Sequence, residues 1–233
     1  MITAAALCPA APLLARELTG ADPVVPELRG ACLDAVVSLA ASAPDLVAVV
    51  AAGTQTRDWP DVAGLDLSAY APSLGGVPGN TASVPLPLGL AAQLLDQAGY
   101  AGRRTLHTAS ESASLDECMA LGKRLADLAD DVGLLVMADG SARRGLRAPG
   151  YLDDRSAPFD AEVERAVRTG DLGALLAIDP DLARQLMATG RPAWQVLEAA
   201  MAGLRPTGKI RYWNDPFGVA YLVASLSVTE RAR

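Results

Sequence analysis

Residues 2–7 (ITAAAL) form an unbroken apolar run closed by Pro9 and Pro12, which reads as a buried strand. Over 27–41, Leu28, Cys32, Val36 and Leu39 recur at helical spacing and predict an amphipathic helix. Residues 45–52 (DLVAVVAA) are a second continuous run, of the kind that parallel strands covered on both faces show. From 53 to 86 the periodicity lapses into Gly, Pro and Ser, with turn chemistry in SLGGVPGN, and no element is expected. Periodicity returns as a helix at 87–98 and a strand at 103–108. Ser114 then stands three residues before Glu117, a capping box opening a helix whose face carries Leu115, Cys118, Leu121, Leu125 and Leu128. A strand at 133–138 follows, then helices at about 158–168, 171–177, 180–188 and 192–203, the third opened by Asp179 and Pro180 as cap and first-turn proline. KIRYW and GVAYLVASL close the pattern as two strands hinged at Asn214, Asp215, Pro216 and Phe217.

Strands alternating with helices predict an α/β protein, an α/β/α sandwich around a mostly parallel or mixed sheet. The 233 residues suit one domain spanning 1–233, and no repeat or linker divides them. At 51% hydrophobic but 4% aromatic, the core must be closely packed aliphatic layers. A net charge of −7 argues against a nucleic-acid partner and against adsorption to an anionic membrane. With no apolar run of 18 residues, and no basic stretch before the first apolar run, a cytoplasmic protein without a membrane span is expected.

In open α/β sheets ligands bind beyond the carboxyl ends of the strands. Three loops qualify there, CPAAP, AAGTQTRDW and ADGSARR, and YWNDPFG can close the same crevice. The Gly/Pro-rich stretch at 71–86 is a candidate lid over it. In the third loop, Asp139 is a candidate general base or metal ligand and Ser141 a candidate hydroxyl donor. Arg143, Arg144 and Arg147 are candidates for clamping a carboxylate or phosphate, since guanidinium forks suit planar anions, and Arg143 and Arg144 are the ligand-binding choices. Thr54, Asn214 and Asp215 join them as ligand-binding candidates. The plainer reading is a solvated loop whose arginines pair with Asp153, Asp154 and Asp160. Cys8, Cys32 and Cys118 make no CxxC, and Cys32 and Cys118 fall on apolar helical faces. One histidine, His107, reads as a strand-end residue with a satisfied ring. A single histidine cannot supply a two-histidine iron triad or a three-histidine zinc site. A carboxylate site for Mg or Mn at Asp139 and Asp215 stays open.

CPAAPLL, LPLGLAAQLL, LLVMADGSARRGLRAPGYLDDRSAPFD, GRPAWQVLEAA and NDPFGVAYLVA occur in that order. Together they resemble the B-like subunits of the class III extradiol ring-cleavage dioxygenase family, in an alanine-rich actinobacterial branch. The resemblance runs from about residue 2 to 225 and is most specific over 134–160. It implies an α/β/α sandwich and, in active members, Fe(II) held by two histidines and a glutamate, with a further histidine as acid/base. Carried over residue by residue, the first ligand position falls on Ala10 and the second among Ala52, Gly53 and Thr54. The acid/base position falls on Ala142, while Asp139, Ser141 and Arg143 match their motif. The expectation is therefore a family member without the iron site and with no cofactor. A small-molecule pocket, for an anionic or aromatic ligand, is expected at the strand ends. An enzyme with a carboxylate metal site or an accessory subunit is the alternative. Since some such enzymes pair two different subunits, a homo-oligomer or a partner subunit is open.

Overall fold

The computed structural model describes residues 1–20, 25–61, 67 and 84–231; the expected lid over 71–86 lies largely outside them. The strands are β1 (Ile2–Cys8), β2 (Leu46–Gly53), β3 (Arg57–Trp59), β4 (Arg103–Ser110), β5 (Val132–Met137), β6 (Leu204–Asn214) and β7 (Tyr221–Arg231). The helices are α1 (Arg16–Thr19), α2 (Pro26–Ala41), α3 (Leu86–Gln97), α4 (Leu115–Ala126), α5 (Ser156–Thr169), α6 (Pro180–Gln185) and α7 (Arg191–Ala200). They build one seven-stranded sheet in the order β3-β4-β2-β5-β1-β7-β6.

The four central strands, β4, β2, β5 and β1, run parallel. β3, β7 and β6 each pair antiparallel with their neighbours, which makes the sheet mixed. Strand alternation sorts the core into two halves. Ala5 and Leu7 of β1, with Leu134 and Val136 of β5, meet the cluster built by α4, α5 and α7. Ala4, Ala6 and Cys8, with Leu135 and Met137, meet the cluster built by α2 and α3 on the opposite face. The result is the three-layer α/β/α sandwich.

The fold departs from the sequence pattern at definite places. The stretch expected to lack elements contains β3, a three-residue edge strand antiparallel to β4. The helix expected at 171–177 is a 3-10 turn, Leu172–Leu175. β6 begins earlier than KIRYW and β7 runs on past GVAYLVASL, because the two form one long hairpin. The capping box at Ser114 and Glu117 and the Asp179 cap are both present. Among the described residues, no helix is long and apolar enough to cross a membrane.

β1 and β5 are neighbours in register, with Cys8 opposite Met137. The chain leaves β1 toward α2 on one face and leaves β5 toward α5 on the other. Such a divergence opens a crevice at the carboxyl ends of the two strands.

Candidate functional site at the β1 and β5 strand ends

Asp139 lies at those strand ends, two residues past the end of β5. Its Oδ1 accepts the Ala10 N–H at 3.0 Å, so the loops after β1 and β5 meet through its carboxylate. Burial pushes its pKa up to about 7, and the single Ala10 hydrogen bond only partly offsets this. The Tyr221 phenol is raised by burial and then by the nearby Asp139 charge. A carboxyl group that exchanges its proton near neutrality is suited to acid/base work or to hydrogen bonding in either state.

The rest of the loop is pinned. Ser141 is 0% exposed; its N–H donates to Asp160 Oδ1 at 2.8 Å and its Oγ to Asp160 Oδ2 at 2.5 Å. Ser141, the candidate hydroxyl donor, is therefore buried, and its hydroxyl donates to Asp160 of α5. Arg144 Nε donates to Asp215 Oδ2 at 2.7 Å and lies 3.9 Å from Asp160, so these charges hold the loop to the β6–β7 hairpin. Backbone bonds reinforce the same junction, from Gly140 N to Ala220 O, Ala220 N to Ser141 O, and Arg144 N to Gly218 O. Arg144 thus pairs chiefly with Asp215, a partner outside the plainer reading, and only at long range with Asp160.

Arg143 is less committed. Its terminal nitrogen is 3.7 Å from Asp153, and its Nε is buried without a hydrogen-bond partner among the described residues. Thr54 is exposed just past β2. Asn214 is exposed and accepts the Asp215 N–H through Oδ1. Leu146, Tyr151, Leu152 and Phe217 leave exposed apolar surface on the same loop and hairpin.

The remaining candidates stand elsewhere. His107 is 3% exposed, with Nδ1 at 2.7 Å from Asp58 and Nε2 at 2.8 Å from Thr105 Oγ1. Its ring is satisfied, though within β4 rather than at its end. Burial lowers its pKa, and Asp58 opposes that shift. Cys8, Cys32 and Cys118 are free and buried.

The positions that the resemblance assigns to histidines are occupied by other residues. Ala10 turns a backbone N–H, not an imidazole, toward Asp139. Ala142 is buried with its N–H on Leu186 O. Among the described residues, no group of three or more His, Cys, Asp or Glu side chains is arranged so that it could hold a metal ion.

A cleft of about 590 Å³ opens between the loop after β4 and the α6–α7 segment, lined in part by Ser112, Arg184, Met187, Thr189 and Arg191. It lies beside the crevice, because Gly190 N donates to Asp139 O at 3.0 Å. A Cβ on Gly190 would stand 2.5 Å from that same oxygen, so only glycine permits the approach. The sequence pattern did not reveal this cleft. Its one signal was Arg191 at a helix start, where a cation opposes the helix dipole.

No family model matches the chain, and no curated protein matches it. Among solved structures it is similar to the crystal structure of an uncharacterized Escherichia coli protein, JW3007, with 12% identity and a TM-score of 0.56. The match covers 97% of this chain and 100% of that one, and it supports the α/β fold alone.

Proposed function

We propose that this protein binds a small anionic or aromatic molecule at the carboxyl ends of β1 and β5, and that it is a relative of the class III extradiol dioxygenases without their iron chemistry. The observation that carries the reading is Asp139, a desolvated carboxyl at the crevice between β1 and β5 with a pKa of about 7. Arg143, with its unpartnered Nε, is the cation closest in sequence to it. The resemblance, with Ala10 and Ala142 at two of the histidine positions and Ala52, Gly53 and Thr54 around the third, supports the loss of iron chemistry.

The same carboxyl favours a second reading, an enzyme in which Asp139 moves a proton. Titrating aromatic acids, phenols and phosphates at pH 6 and pH 8 separates the outcomes. Saturable, pH-dependent binding that Asp139→Asn weakens supports the crevice site, and turnover lost in that variant supports the enzyme. Binding absent across the set sinks the proposal. Stoichiometric iron after anaerobic loading, together with ring cleavage, sinks its non-dioxygenase part.

A further inference from the structure

Arg191 is 3% exposed, yet among the described residues no carboxylate lies within ion-pair distance of it. Its hydrogen bonds go to neutral acceptors, Gln195 Oε1 at 2.8 Å and Glu111 O at 2.7 Å. A buried cation without a counter-charge is costly, and the ten-residue helix α7 adds its own positive end at the same place. Arg191 is among the residues lining the 590 Å³ cleft, a volume suited to a small organic ligand.

The other cleft charges do not supply the missing anion. Arg184 and Asp181 pair with each other at 2.8 Å and are largely exposed. The Glu111 side chain is exposed, and the contact it makes with Arg191 is through its backbone oxygen. Between them, Met187, Ala183, Ala188, Pro180 and Pro192 give the cleft an apolar wall.

We infer that this cleft is a second binding site, for a monocarboxylate with a compact apolar body, whose carboxylate pairs with Arg191. A monoanion fits better than a phosphate, because Arg191 is the one lining cation not paired with a carboxylate among the described residues, and the Glu111 carboxylate opposes a second negative charge.

The test is calorimetric titration of the full chain with benzoate and 4-methylpentanoate, their neutral amides, and inorganic phosphate. The expected result is saturable binding of the carboxylates, with the amides at least about tenfold weaker. Arg191→Gln and the cleft-filling Ser112→Trp should each weaken carboxylate binding by about tenfold or more. Ser112 is exposed, so its variant decides the matter if Arg191→Gln fails to fold. Amides binding as well as acids, phosphate binding in their place, or folded variants binding like the parent would each overturn the inference. So would carboxylate binding that only Asp139→Asn removes, since that belongs to the crevice.

Discussion

At the residue scale, two aspartates on either side of one loop, both pushed up by burial, carry different tasks. Asp139 holds a proton in the folded state to about pH 7, whereas in the unfolded chain an aspartate releases it near 3.8. The contribution of this group to stability is therefore fullest below about pH 4, falls as pH rises through that window, and levels off above about 7. The whole effect is on the order of 4 kcal/mol. Calorimetric unfolding at pH 5 and pH 8 should show the larger part of this loss in the parent and a much smaller one in Asp139→Asn. Asp160 is a pin: Asp160→Ala leaves the Ser141 N–H and hydroxyl without their acceptor. Its expected cost is about 3 kcal/mol in urea denaturation. The charged loop and both aspartates were legible in the sequence, but a ligand-facing Ser141 could not be told there from a buried one. That distinction depends on α5 folding back over the loop, a contact across 19 residues.

At the element scale, close approach decides what substitutions cost. A Cβ on Gly208 of β6 would stand 1.8 Å from the Val167 carbonyl oxygen of α5. Backbone cannot step aside as a side chain can, so Gly208→Ala should cost about 3 kcal/mol in chemical denaturation. Gly30 in α2 meets nothing within 4 Å, and Gly30→Ala should instead stabilise by about 0.5–1 kcal/mol in the same assay. Long elements such as α2 and α4, read by their period, and β2, read as an unbroken apolar run, were legible because each buries one face or both. β3 was not, since its three residues are too few for a period. Asp58 bonded to His107 and Arg124, and Trp59 Nε1 donating to Thr108 Oγ1, hold it in place.

At the scale of the whole molecule, the two half-cores put all three thiols out of reach. A thiol-specific dye should label none of them in native buffer and all of them in denaturant; rapid native labelling would contradict the buried positions. Strand order was the least legible property of the chain. Apolar runs announce strands, but nothing local says that β5 inserts between β1 and β2 or that β7 flanks β1.

That order bears on how the protein is made. β1 leaves the ribosome well before β5 and β7, yet it pairs with those two strands alone, Ala4 meeting Gly133 and Ser227. Its apolar edges stay open until most of the described chain has been synthesised, a window in which a nascent chain depends on shielding against aggregation.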